Sequence, residues 1–169
     1  FELFNKNPRD YFKYKKIDES CRYFFDDNTS VTLYSDKAKC FQELKAKIGE
    51  EDAESYLKYI KTAKNDYASV GQLFLNDPKP KFYEYLLPKF MRFYGFFISK
   101  KMRKSLNTYN TKMFKSEKIR LIFNRFGTYN GSNPYQMSGL YSMISSLELN
   151  HGTFFPEGGM RSIIEGLYQ

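Results

Sequence analysis

Residues 124–160 read NRFGTYNGSNPYQMSGLYSMISSLELNHGTFFPEGGM, and two glycine-rich turns enclose one helical pattern in this stretch. The first turn covers residues 127–133 and leads into a helix predicted over residues 134–150. The second turn, at residues 156–159, leads into a last helix predicted over residues 160–168. Glycine has no side chain, so another backbone or a ligand can come close to it. The pattern therefore indicates either a wall built against a bulky ligand or two ordinary helix entries.

The aromatic content is the unusual part of the composition. The chain has 169 residues, which suits a single domain over residues 1–169 with a buried core. Aromatic residues make up 19% of it, as 17 Phe and 15 Tyr with no Trp. This content indicates either an aromatic-rich core or a surface offered to a long apolar ligand or a membrane, where rings give wide contact at low entropy cost.

Before residue 124, local sequence patterns predict strands first and helices later. Residues 22–27 and 31–34 are aromatic and β-branched around a turn at Asp27 and Asn28, which is typical of a hairpin. Asp36 is placed to cap a helix, and Gly49 to end it. Further helices are predicted over residues 50–76, 105–114 and 116–126, the last with a buried face of Ile119, Ile122, Phe123 and Phe126. The expected fold class is α+β, a small antiparallel sheet covered by several helices.

Residues 82–104 form a basic aromatic segment in a chain whose net charge is +8. Rings flanked by Lys and Arg are typical of a segment that lies in a lipid interface. The candidate membrane contacts are Phe90, Phe93, Phe96, Phe97, Lys100 and Lys101. A buried helix pair with a solvated basic rim is one alternative, and an RNA-binding module is another, because rings stack on bases and Lys binds phosphates. No nucleic-acid-binding signature occurs, so lipid is the expected partner and nucleic acid is not.

Few groups in the sequence can do chemistry by themselves. The single histidine, His151, lies in a polar helix exit, and Cys21 and Cys40 are far apart without a metal-ligand spacing. These residues form no metal-ligand set, so no metal is expected. No P-loop and no complete Ser-His-Asp set occurs, so any catalysis must come from a cofactor. There is no signal-peptide pattern and no long uninterrupted apolar run, which predicts a cytoplasmic protein at the membrane periphery.

Three motifs carry a family resemblance: FGTY at residues 126–129, GSNPYQ at 131–136 and FPEGGM at 155–160. In this order and spacing they resemble the carotenoid desaturases, phytoene-desaturase-like flavoproteins of the amine oxidase superfamily. With CRYFF at residues 21–25, they are most similar to the branch that introduces the 3,4 double bond into hydroxylated acyclic carotenoids. Such enzymes hold FAD on a strand, a GxGxxG turn and a helix, and no GxGxxG occurs here. The chain is therefore expected to be the substrate-side middle segment, with FAD bound mainly by other parts of the protein.

The resemblance implies a flavin-dependent desaturation. FAD accepts a hydride equivalent from an allylic carbon of the polyene, a proton leaves the neighbouring carbon, and the electrons pass on to oxygen or a quinone. The residues implied at the flavin are Pro156, Gly158, Gly159 and Met160. Those implied at the carotenoid are Tyr129, Asn133, Tyr135, Gln136, Phe154 and Phe155. Asn133 and Gln136 either hydrogen-bond a terminal hydroxyl of the substrate or form a capping box at the start of the helix.

Overall fold

The computed structural model describes residues 5–71, 101 and 103–168. Its strands are β1 (Tyr14–Ile17), β2 (Glu19–Phe24), β3 (Ser30–Tyr34) and β4 (Thr153–Pro156). Its α-helices are α1 (Lys37–Lys47), α2 (Glu50–Asp66), α3 (Leu106–Met113), α4 (Glu117–Asn124) and α5 (Arg161–Tyr168). Short 3-10 helices cover Pro8–Asp10, Arg125–Asn130 and Gly139–Ile144, and π-helical turns cover Tyr67–Gly71 and Leu147–His151.

The described strands form two separate antiparallel pairs. The predicted hairpin is confirmed as β2 and β3, whose turn has Asn28 in the left-handed region at φ 62°. The second pair joins β1 to β4, with Lys15 opposite Phe155, and it was not predicted. This pairing connects the N-terminal part of the chain to the strand that precedes the second glycine-rich turn. That this arrangement of helices and small sheets is the substrate domain of a flavin amine oxidase-like enzyme stays a prediction.

The hairpin turn is held to α4 by an ion pair between Asp27 and Lys118. Lys118 also donates a hydrogen bond to the Thr29 hydroxyl at 2.8 Å. The hydrogen bond from Lys118, followed by those from Thr29, lowers the pKa of the Asp27 carboxyl from 3.8 to about 2. A carboxyl whose pKa is depressed in the folded state stabilises that state above its unfolded pKa. The stabilisation is lost as the pH falls through the folded value.

We expect Asp27→Asn to abolish this pH dependence. The stability difference between wild type and variant should be constant above pH about 4 and shrink between about 4 and 2. Urea midpoints measured across this range would show it, with Asp26→Asn as the control because Asp26 is an exposed neighbour. A difference that does not change with pH would contradict the assignment.

The first helix begins and ends where the sequence predicts, and the second begins where it predicts. The Asp36 carboxylate caps α1 by accepting the Lys39 N–H at 2.9 Å, and Gly49 separates α1 from α2 at φ 140°. The predicted continuation of α2 to residue 76 is not found in the described part, because the α-helix ends at Asp66 and a π-helical turn follows. The rest of that prediction, from residue 72, lies outside the described residues.

The core lies between β3, α1, α2 and α4. Its centre is the Phe123 ring, whose centroid lies 4.4 Å from that of Tyr59 and 4.8 Å from that of Phe114. The buried face predicted for residues 116–126 is confirmed, since Ile119, Ile122, Phe123 and Phe126 are almost fully buried. Tyr59 is a buried residue that the sequence analysis missed, and its hydroxyl donates to Asn110 Oδ1 at 3.0 Å. A satisfied hydroxyl of this kind can be buried without a large penalty.

Asp52 ties α2 to the start of α4. It is buried, and its two carboxylate oxygens accept the backbone N–H groups of Lys115 and Ser116, both at 2.8 Å. Ser116 stands at the N-cap of this helix, but its side chain makes no capping hydrogen bond. The carboxylate of a distant helix instead binds the backbone of the two residues that precede this helix.

We expect Asp52→Asn to lower the free energy of unfolding by about 2 kcal/mol. The amide nitrogen of Asn cannot accept a hydrogen bond, so one buried N–H group loses its partner. Urea unfolding of the variant, with Glu54→Gln on the exposed side of the same helix as a control, measures the effect. Equal stabilities of the two variants would contradict this role.

The helix predicted over residues 134–150 is wrong as a continuous helix. Pro134 and the residues after it form a turn, in which Asn133 Oδ1 accepts the Tyr135 N–H at 2.9 Å. The chain then runs beside the start of α3, where Leu106 N–H donates to Met137 O at 2.8 Å and Gly139 N–H to Lys104 O at 2.7 Å. Helical structure begins only at Gly139. These backbone bonds to α3 compete successfully with the first turn of the expected helix.

Candidate functional site

A buried ion pair lies beneath the first glycine-rich turn. Arg125, the first residue of the 3-10 helix after α4, donates from one terminal nitrogen to both carboxylate oxygens of Glu148, at 3.0 and 2.7 Å. Its Nε donates to the Tyr23 hydroxyl at 2.6 Å. Glu148 lies on the π-helical turn before β4, and its side chain is only 7% exposed. This pair joins the hairpin, the first turn and the approach to the second turn.

Three aromatic rings surround the Arg125 guanidinium. The centroids of Tyr23, Phe126 and Tyr129 lie 5.5, 4.7 and 5.7 Å from its central carbon. Such cation–π contacts stabilise a guanidinium that has lost part of its water. Burial opposes the charge of Arg125, but the hydrogen bond and the charge of Glu148 raise its pKa above its usual value. The guanidinium is therefore a permanent positive charge in this place.

Tyr129 is the predicted substrate residue that this pair holds. Its hydroxyl donates to Glu148 Oε2 at 2.7 Å, and its ring stacks on Phe126 with centroids 6.0 Å apart. Burial, and then the hydrogen bond and charge of Glu148, raise the pKa of Tyr129. The phenol therefore stays protonated, and half of the residue remains open to solvent, since it is 53% exposed.

The predicted residues Asn133, Tyr135 and Gln136 lie on the surface turn that follows. The Asn133 side chain accepts the N–H of Tyr135, and the Asn133 carbonyl accepts the N–H of Gln136 at 3.0 Å. Asn133 therefore caps a turn in this structure. All three residues are exposed.

The second glycine-rich turn lies between β4 and α5 and is fixed from both sides. Pro156 is buried, and the Glu157 N–H donates to Lys13 O at 2.8 Å. Gly158 and Gly159 both have φ 82°, a conformation that only glycine adopts without strain. An added Cβ at Gly159 would meet no atom within 4 Å, so the backbone here is open to an approaching group.

Exposed apolar side chains lie on both sides of this turn and on β1, which pairs with β4, and we call them the C-terminal apolar residues. They are Tyr14, Phe154, Phe155, Met160, Ile164 and Leu167. The Phe154 ring meets the edge of the Tyr14 ring at a centroid distance of 5.7 Å. The opposite side of α5 is packed, because a Cβ on Gly166 would lie 2.9 Å from the carbonyl oxygen of Tyr11. The orientation of α5 thus leaves apolar side chains uncovered.

The predicted membrane contacts fall mostly on residues 82–100, which lie outside the described residues. Lys101 is described, and its ammonium group forms an ion pair with Asp66 and lies 4.4 Å from the centroid of the Tyr109 ring. Burial lowers the pKa of Lys101, against the opposing effect of Asp66. The Lys101 side chain is only 12% exposed, so in this structure it serves the packing of α2 on α3.

The structure also bears on metal ligands, on the single histidine and on membrane-spanning helices. Among the described residues, no group of three or more metal-ligating side chains comes together. His151 is exposed, with its ring 5.5 Å from that of Tyr67. None of the helices in the described ranges is both long enough and apolar enough to span a bilayer.

The amino-acid sequence of this chain is similar to those of several carotenoid desaturases. The chain is 34% identical over 158 residues to a 1-hydroxycarotenoid 3,4-desaturase from Flavobacterium sp. (strain P99-3), covering 94% of this chain and 32% of that protein. The predicted resemblance to the carotenoid desaturases is confirmed. A carotenoid 3,4-desaturase from Haloarcula japonica is 24% identical over 100% of this chain and 34% of its own length. A phytoene desaturase from Cercospora nicotianae is 28% identical over 92% of this chain and 24% of its own length.

The match covers nearly all of this chain but only a part of each relative. The chain spans about a third of the length of the first two carotenoid desaturases. No family model matches it. The similarity therefore concerns only one region of each of these proteins.

Proposed function

We propose that this chain is the substrate side of an FAD-dependent carotenoid desaturase that acts on an acyclic, hydroxylated carotenoid. The observation that supports this most is the 34% identity to a 1-hydroxycarotenoid 3,4-desaturase across 94% of the chain. The reaction removes two hydrogen atoms from adjacent carbons of the polyene and leaves a new double bond in conjugation with the others.

The carotenoid would contact the exposed aromatic side chains of the two turns. Tyr129 and Tyr135 lie on the first turn and its continuation, and Phe154 and Phe155 lie on β4. All four are exposed and offer rings without charge. A polyene has no polar groups along its length, so wide apolar contact is the recognition it allows. Asn133 and Gln136 are polar residues on the same surface turn as Tyr135.

The second glycine-rich turn fits a flavin at its backbone. Two successive glycines at φ 82° with open space at Gly159 allow a flat ring to approach the main chain more closely than any side chain would permit. The residues that would contact FAD are Pro156, Gly158, Gly159 and Met160. A bound flavin supplies the acceptor for the hydride equivalent that leaves the polyene. This chain holds its own turn in shape through buried Pro156 and the bond from Glu157 to Lys13.

The C-terminal apolar residues would pack against the flavin-binding part of the full-length protein. Ile164 and Leu167 are exposed on α5, and Met160 is exposed just before it. The protein would lie at the cytoplasmic face of a membrane, from which a water-insoluble carotenoid must be drawn. The basic aromatic segment at residues 82–104 would provide that lipid contact.

A pair of glycine variants tests the flavin contact. Gly159→Leu in the full-length protein should reduce flavin content at least tenfold, because the side chain fills the space that the ring needs. Gly131→Leu is the matched control, since Gly131 also has positive φ and also has no atom within 4 Å of an added Cβ. Both positions have positive φ, 82° at Gly159 and 62° at Gly131, so each variant carries backbone strain. Equal flavin retention in the two would show that the second turn does not contact the cofactor.

Conversion of substrate tests the activity itself. Purified full-length protein, given a hydroxylated acyclic carotenoid in lipid vesicles, should yield a product lighter by two hydrogen atoms and absorbing at longer wavelength. Flavin-loaded protein that leaves the carotenoid unchanged would contradict the proposed activity.

A further inference from the structure

We infer that Tyr129 selects a hydroxylated carotenoid end by accepting a hydrogen bond from its hydroxyl, and that Glu148 and Arg125 position the phenol for this. The inference rests on the proposed function and adds the group that distinguishes the substrate. It starts from the Glu148 carboxylate, which accepts two hydrogen bonds from Arg125 and one from Tyr129.

The proton of the Tyr129 hydroxyl is committed to Glu148. A carboxylate paired with a guanidinium has no proton to give, so the phenol must be the donor in their 2.7 Å contact. A phenol has one proton, and it is now used. A lone pair of the Tyr129 oxygen is what remains for any other partner, so toward that partner the oxygen can only accept.

The orientation of this oxygen is fixed by its neighbours. Arg125 is held by the Tyr23 hydroxyl at 2.6 Å and by three rings, and it fixes Glu148 through two hydrogen bonds. The ring of Tyr129 stacks on the buried Phe126 with an angle of 22° between their planes. A side chain restrained at both its ring and its hydroxyl loses little entropy when a ligand binds.

An acceptor in this place distinguishes two kinds of carotenoid end. A terminal hydroxyl can donate to the Tyr129 oxygen, whereas the methyl or alkene end of a plain polyene cannot and would displace water without replacing its hydrogen bond. Asn133 suits this task less well, because its side-chain oxygen already accepts the Tyr135 N–H at 2.9 Å. Since Tyr129 remains half exposed, the expected preference from this one bond is about tenfold.

The test is a double-mutant cycle in the full-length enzyme. The measured quantity is the ratio of kcat/KM for an acyclic carotenoid with a terminal hydroxyl to that for the same polyene without it. We expect Tyr129→Phe to lower this ratio about tenfold, mainly through KM for the hydroxylated substrate. Glu148→Gln should also lower it, but by a smaller factor, because the amide can donate to the phenol oxygen and the phenol proton is no longer held by a carboxylate. The double variant should be no lower than Tyr129→Phe alone, since both substitutions act on one hydrogen bond.

A control variant and the comparison of the two substrates separate this role from a structural one. Tyr34→Phe removes a phenol hydroxyl on β3 and should leave the ratio unchanged. A purely structural role for Glu148 would lower conversion of both substrates equally and would also leave the ratio unchanged, which overturns the inference. If Glu148→Gln does not fold, Tyr129→Phe decides alone, because its ring and its packing are retained. A wild-type enzyme that converts neither carotenoid overturns the proposed function and this inference with it.

Discussion

Phe123→Ala should lower the free energy of unfolding by about 4 kcal/mol, the largest effect expected of any single substitution in the described part. Phe123 has no exposed surface, and its ring contacts those of Tyr59, Phe114 and Phe126. These rings come from three different segments, so they cannot all collapse into the space that the substitution leaves. The cost therefore includes both the lost transfer of the ring and the cavity.

Urea unfolding of the variant protein measures this effect. Leu121→Ala is the control, because Leu121 lies on the same helix and is 47% exposed. It should cost less than about 1 kcal/mol, since a half-exposed side chain loses little burial. Comparable losses for the two variants would show that α4 does not present the face described above to the core.

Arg125→Met should lower the free energy of unfolding by about 3 kcal/mol. The substitution keeps most of the side-chain volume but leaves the buried Glu148 carboxylate without its guanidinium. Arg125 itself is partly exposed, which places the expected loss at the lower end of the range for broken buried pairs. Loss of the Tyr23 contact adds a smaller amount.

Restoring neutrality should recover much of this stability. The double variant Arg125→Met/Glu148→Met contains no unpaired buried charge, so we expect it to regain at least half of the loss. Thermal or urea unfolding of the two variants side by side shows the recovery. A double variant less stable than Arg125→Met alone would mean that Glu148 stabilises the fold through other partners.

The sequence was sufficient where local chemistry decides the structure. The turn at Asp27 and Asn28 predicts the hairpin, and Asp36 and Gly49 predict the limits of α1, because capping and turn formation involve residues close in the chain. The apolar spacing of α4 predicts its buried face for the same reason. These elements are confirmed.

The sequence was insufficient where contacts between distant segments decide the structure. The β1–β4 pairing joins Lys15 to Phe155, and no local pattern of a strand as charged as β1 indicates its partner. The helix expected from Pro134 does not form, because its backbone makes hydrogen bonds to the start of α3. That helix lies far away in the sequence. No local pattern indicates that Arg125 pairs with Glu148, because the two residues lie on different elements. The single acidic residue within the apolar run SLEL, residues 146–149, was the available signal of a buried charge that needs a partner.

The most direct test of the central claim is the colour of cells that make acyclic carotenoids. The full-length protein, expressed in cells that accumulate the hydroxylated compound, should shift the pigment absorption to longer wavelength and should purify with bound yellow flavin. Cells that accumulate the same polyene without its hydroxyl should show a smaller shift. A protein that carries no flavin and leaves both pigments unchanged would contradict the desaturase account. The basic aromatic segment at residues 82–104 would then indicate a lipid- or RNA-binding protein without catalysis.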